Sequence, residues 1–151
     1  LRDKLENLEI LEEGGQYQWK DISFSTPLRH LHSTEPYGFR FIFPQGDVSF
    51  ITDSLFDEKL IEAYKDSKIL VINTVRLHRE VHPHILHLSI PDAQVLVENI
   101  KPRLAFLTHF GLTVLREKPW EIAEEMSQKT GIKVIAANDG MKIDLEEALE
   151  D

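Results

Sequence analysis

The run KILVINT at 68–74 narrows most sharply how this chain can fold. It is of strand length and almost continuously apolar, the pattern of a strand covered on both faces. The flanking sequence supplies the cover. Residues 57–65 put Asp57, Leu60, Ile61 and Tyr64 on one helical face, and residues 90–101 form a second helix with Ala93, Leu96, Val97 and Ile100 as its apolar stripe. Ser89, followed three residues later by Asp92 and with Pro91 early in the helix, marks its start. LAFLTH (104–109) is the next strand. A third helix from Pro119 to Thr130 buries Ile122, Ala123 and Met126 and stops at Gly131. KVIAAN (133–138) and the short MKIDL close the core.

The first half is strand-like. LEIL (8–11) and ISFSTPL (22–28) read as strands, and YGFRFIF (37–43) and VSFIT (48–52) flank PQGD, a turn suited to a hairpin. An antiparallel start followed by strand and helix in alternation predicts an α/β structure with a mixed β-sheet and packed helices. With 151 residues, 42% of them hydrophobic, residues 1–151 suit a single domain with one core. The segment 75–88 has no clear period and is expected to be a loop; it holds four of the seven histidines.

Composition excludes several chemistries. The chain has no cysteine, so disulfides, thiolate nucleophiles and cysteine-ligated zinc are out, and a cytoplasmic setting is expected. A net charge of −9 argues against a broad nucleic-acid surface but leaves room for a local basic rim. No apolar run reaches the ~18 residues of a membrane span. A phosphate-binding Gly-rich loop with a lysine is missing, as is the G-x-S-x-G of a serine hydrolase. Trp120 opens an amphipathic helix and reads as packing rather than as a stacking surface.

What remains are histidines and a carboxylate at the ends of apolar runs. Asp53 ends VSFIT, either as a cap or turn residue or as a carboxylate held at a strand tip for metal ions. His109 ends LAFLT, either as a core residue or as a metal ligand. His30 and His32 point to one side if their segment is extended. His78, His82, His84 and His87 are ambiguous, although His87 directly precedes the capped helix and so has a well-fixed backbone.

Taken together, PLRH (27–30) before STEPYGFRF, FITD (50–53), HLS (87–89) and FLTHFG (106–111) resemble motifs of the metallo-β-lactamase superfamily of binuclear metallohydrolases. The resemblance covers residues 20–145 and is nearest the phosphodiesterase and tRNA 3′-end-processing branches. It implies that His30, with His32 as the fallback, ligates one ion, that Asp53 bridges both, and that His109 ligates the second. His87 would touch the substrate phosphate or help protonate the leaving oxygen. The ions would be two divalent metals, zinc first and manganese or iron next, and the substrate a phosphodiester or another small ester.

The superfamily's H-x-H-x-D-H signature occurs nowhere in this sequence. The chain is therefore expected to form the C-terminal half of a four-layer αββα sandwich, as a fragment or processed half. Such a half should bind metal weakly and be inactive alone. It should also leave an apolar sheet face to be covered by an N-terminal half or by self-association. A lactonase or thioesterase of the same superfamily is the nearest alternative. A non-catalytic α/β interaction module would instead scatter His30, Asp53 and His109. A nucleotide-binding domain lacks its glycine fingerprint.

Overall fold

The structure, a computed structural model, describes residues 8–79 and 85–150. Seven strands form one sheet in sequence order: β1 (Gly15–Trp19), β2 (Ile22–Thr26), β3 (Phe39–Ile42), β4 (Val48–Ile51), β5 (Ile69–Asn73), β6 (Leu104–Thr108) and β7 (Lys133–Ala136). Strands β1 to β4 pair antiparallel, and β4 to β7 pair parallel. The helices are α1 (Lys59–Tyr64), α2 (Ile90–Ile100), α3 (Leu112–Arg116), α4 (Pro119–Thr130) and α5 (Leu145–Leu149). This is the mixed α/β sheet that the sequence predicts.

Local chemistry sets the main boundaries. Ser89 and Asp92 cap α2 reciprocally, and Asp92 also accepts a hydrogen bond from Arg79 Nε at 2.5 Å. Gly131, at φ +72°, closes α4 in the left-handed conformation that a side chain resists.

Three details differ from the sequence reading. LEIL forms no strand; GQYQW does, because Tyr17 pairs with Phe24 across the β1–β2 hairpin and stacks on it at 5.2 Å. Leu8 and Ile10 are left exposed. MKIDL is irregular and leads into α5, and neither that helix nor α3, each five residues long, gives a full amphipathic period to detect.

The strands bury residues on both faces. Ile51, Leu70, Ile72, Ala105, Leu107 and Val134 meet α1, α2 and α4 through Leu60, Tyr64, Leu96, Val97 and Met126. On the opposite face, Val48, Ile69 and Phe106 pack with Leu149 of α5. That face continues across β2, β3 and β4 as contacting rings of Phe24, Phe39, Phe41 and Phe50, and Phe50 remains 36% exposed. Each buried aliphatic side chain contributes about 1.5–3 kcal/mol, so the helix-covered side dominates stability.

His30 belongs to that core. Its backbone N–H bonds the Pro36 carbonyl, and its side chain is only 3% exposed. The Thr52 hydroxyl donates its one hydrogen to the Tyr37 carbonyl at 3.0 Å, so it accepts from His30 Nδ1 at 3.1 Å. Nε2 then accepts from the fully buried Tyr64 hydroxyl at 2.9 Å. Both ring nitrogens are thus in use, in one neutral tautomer, and burial pushes the pKa of His30 down to about 4. Burial likewise raises that of Tyr64.

Gly38 makes room for this pair. A Cβ there would overlap Tyr64 Oη and lie 2.7 Å from His30 Cε1 and 2.6 Å from the Phe50 carbonyl. Gly38→Ala should cost at least about 2 kcal/mol in urea unfolding, through overpacking and loss of the buried hydrogen bond.

A pH signature follows from His30. Its folded pKa lies below the unfolded value, so above about pH 6.5 it is neutral in both states and imposes no penalty. As pH falls toward 4, the unfolded chain takes up a proton that the folded chain refuses. Stability should therefore drop by about 2 kcal/mol from this group between pH 7 and pH 5. In His30→Gln, unfolding free energies across that range should show a shallower slope; an unchanged slope would overturn the assignment.

Candidate metal centre

The parallel register carries the site. Ile51 aligns with Ile72, Ile72 with Leu107, and Asn73 with Thr108, so β4, β5 and β6 end together at one edge. Carboxyl ends of parallel strands are where open α/β sheets place ligands. Asp53 and His109 stand just past two of those ends.

Asp53 is half-buried, and Asn73 at the end of β5 donates to its Oδ1 at 3.0 Å. His109 Nε2 lies 3.4 Å from the same oxygen and His87 Nδ1 3.7 Å from it. His32, the fallback of the sequence reading, packs its ring 5.1 Å from that of His87. His32, Asp53 and His87 each offer a ligand atom within 4.8 Å of the others. His109 joins them through Asp53 and through its ring, 6.3 Å from that of His87.

His30 is not brought into this group. The expectation that His30 and His32 face one side required an extended segment, but the chain bends over 31–34. Leu31 is tied across to the Asp53 turn, its N–H bonding Ser54 Oγ at 3.2 Å and its carbonyl accepting from Leu55 N at 2.8 Å. One histidine therefore turns into the core and the other toward Asp53. His32 Nδ1 accepts from the Thr34 N–H at 3.3 Å and lies 3.0 Å from Thr34 Oγ1, which fixes the ring beside His87.

His87 is held as the sequence suggests. The next residue, Leu88, is fully buried, and its carbonyl accepts from the N–H groups of Val75 and Arg76. The His87 Nδ1 atom is buried and has no hydrogen-bond partner among the described residues. A native structure rarely leaves such an atom orphaned without a ligand to meet it. Burial lowers the pKa of His87; Asp53 opposes that shift, and His32, His109 and Arg76 add to it. The ring is neutral at pH 7, the form that ligates metals.

His109 sits at φ +57°, a conformation that costs a non-glycine residue energy and that clusters at functional sites. Just beyond it, Gly111 N–H bonds the Val75 carbonyl at 3.1 Å, so closely that a Cβ on Gly111 would strike that carbonyl. The loop carrying His109 is thereby pinned to the loop after β5.

Three histidines and one carboxylate form a donor set that fits a divalent ion. Asn73, which orients the carboxylate, is the residue that sequence reasoning missed; its only signal is its place at the end of KILVINT. His78 is exposed, and His82 and His84 lie outside the described residues. Trp120 does not pack: it is 64% exposed. No helix among the described residues is long and apolar enough to cross a membrane. The closeness of Asp53 and His109 is the opposite of the scatter expected of a non-catalytic module.

Known proteins share this architecture. A family model described as "Beta-lactamase superfamily domain" matches residues 2–110. The uncharacterized protein MJ1374 of Methanocaldococcus jannaschii is 33% identical over 148 residues, covering 95% of this chain and 53% of that protein. The metallo-beta-lactamase fold protein YhfI from Bacillus subtilis superposes with a TM-score of 0.75 at 14% identity, over 87% of this chain and 53% of that one. A diphosphatase from the PhnP family gives a TM-score of 0.62 at 24% identity, over 88% of this chain and 47% of that one. The chain thus spans about half the length of each. On the family match, the chain belongs to the β-lactamase superfamily, and it shares the metallo-β-lactamase fold.

Proposed function

We propose that this chain is the C-terminal half of a binuclear metal-dependent phosphodiesterase, with His32, Asp53 and His87 serving one ion and Asp53 and His109 the other. The observation that carries this reading is the convergence of His32, Asp53 and His87 within 4.8 Å, with His109 Nε2 3.4 Å from the same carboxylate. Zinc suits these donors, and manganese or iron accept the same set. When bound, such ions would supply a lowered pKa for water and neutralisation of charge developing on phosphorus.

The chain's own groups set up that chemistry. Asn73 holds the Asp53 carboxylate in one orientation, so the site is not remade at each turnover. His32 replaces His30 in the ligand role, because both nitrogens of His30 are occupied in the core. His87 reads as a ligand, since its buried Nδ1 stands beside Asp53 with no hydrogen-bond partner among the described residues. His109 is 55% exposed in its side chain, so a substrate can approach from that side. The phosphodiester assignment draws on the motif order and on the likeness to the diphosphatase.

The aromatic face of β2, β3 and β4 needs cover, and we assign it to the rest of the enzyme or to a second copy of the chain. Remaining metal ligands would come from that part.

In the full-length enzyme, Asp53→Asn should abolish hydrolysis of bis(p-nitrophenyl) phosphate while leaving the circular dichroism spectrum unchanged; retained turnover would count decisively against the role of Asp53. Asn73→Ala should lower metal affinity or turnover by about 10–100-fold, the usual cost of losing a group that orients a ligand. Calorimetric titration of the 151-residue chain with zinc should show weak binding. Tight binding of two ions per chain would refute the half-site reading. His32→Ala should remove that weak binding with little loss of stability, whereas His30→Ala should do the reverse.

A further inference from the structure

Next to His109 lies a cavity of about 760 Å³ between the end of the parallel sheet and the α3–α4 turn. Thr108, His109 and Phe110 line it past β6, Asn138 and Asp139 past the adjoining end of β7, and Leu115 and Trp120 from the helices. It is within the ~300–1,000 Å³ range of small-molecule sites.

Trp120 is not held there by packing. The residues that dock α4 are Pro119, Ala123 and Met126, and Trp120 falls one position off that stripe, 64% exposed. Leu115, the last apolar residue of α3, is 51% exposed beside it. Lys118 joins the two helices at φ +53° without a capping side-chain hydrogen bond, a strained turn that brings both side chains to one wall. Past β7, the Asn138 amide and the Asp139 carboxylate have no side-chain hydrogen-bond partner among the described residues. The lining thus combines an open aromatic plane with a side-chain donor and acceptors.

We infer that this cavity is a nucleobase subsite, taking the base of a nucleotide-type substrate whose phosphoryl group lies at the Asp53–His109 edge. The placement of the phosphoryl group rests on the hydrolase reading above. A base presents a flat ring to stack on the indole, together with edge N–H and carbonyl groups for Asn138 and Asp139. His109 lines the cavity and also touches Asp53, so a single nucleotide can reach both places.

Trp19 and Trp120 are the only tryptophans in these 151 residues, so Trp19→Phe makes Trp120 their sole fluorescent reporter. Titrating the full-length protein carrying that change with adenosine 5′-monophosphate should quench the emission saturably, whereas ribose 5-phosphate should not. By calorimetry, Trp120→Leu should weaken adenosine monophosphate binding roughly ten-fold, within the range for losing one stacked base, and leave ribose 5-phosphate unaffected. Equal response to both ligands, or no loss in Trp120→Leu, would overturn the subsite. Phenyl phosphate binding as well as the nucleotide would overturn the nucleobase assignment. The measurement is made on the metal-loaded full-length protein and needs no turnover. Failed quenching with an inactive Asp53→Asn enzyme therefore removes only the subsite, and saturable quenching with an active Asp53→Asn enzyme removes the hydrolase reading.

Discussion

The in-register parallel pairing of β4, β5 and β6 is the constraint on which the rest of this structure depends. Parallel strands put their carboxyl ends on one edge, and side chains just beyond those ends converge without help from loop geometry. Asp53, Asn73 and His109 reach that edge from three strands separated by long stretches of sequence. The sheet interior needs its aliphatic residues under α1, α2 and α4, and a slip of one residue would turn them out of the core and scatter the site together with it. Core and site are specified by the same register.

The neighbouring histidines His30 and His32 show how strictly proton inventory separates structure from chemistry. The hydrogen of Thr52 goes to a carbonyl and that of Tyr64 to Nε2, so His30 has no lone pair to offer. It stabilises the loop as a satisfied buried group, where an unsatisfied one would cost energy. His87 is the converse: a buried nitrogen left without a partner, beside a carboxylate and two more imidazoles. A protein tolerates that arrangement where something else completes it.

The sheet is unevenly covered. One face is sealed by three helices, while the other carries α5 over β4 to β6 and a row of contacting phenylalanines over β2 to β4. That asymmetry agrees with a chain spanning about half of each relative.

Much of the architecture was legible in the sequence because it rests on local patterns. The period of α2, its Ser89–Asp92 cap, the Gly131 stop, the apolar centre of β5 and the strand-end motifs are each read within a few residues. The helices α3 and α5 escaped because five residues span too few turns to show a helical period, and β1 because GQYQW holds no apolar run. What only the tertiary structure decided is direction. His30 and His32 part because Tyr64, 34 residues from His30, captures one ring, while the turn after β4 bends the chain between them. Asn73 becomes an orienting group because β5 lies beside β4, and Trp120 becomes an open surface because neighbouring residues already dock α4. Sequence determines which groups are present and how each segment coils; packing between distant segments decides which way each group points.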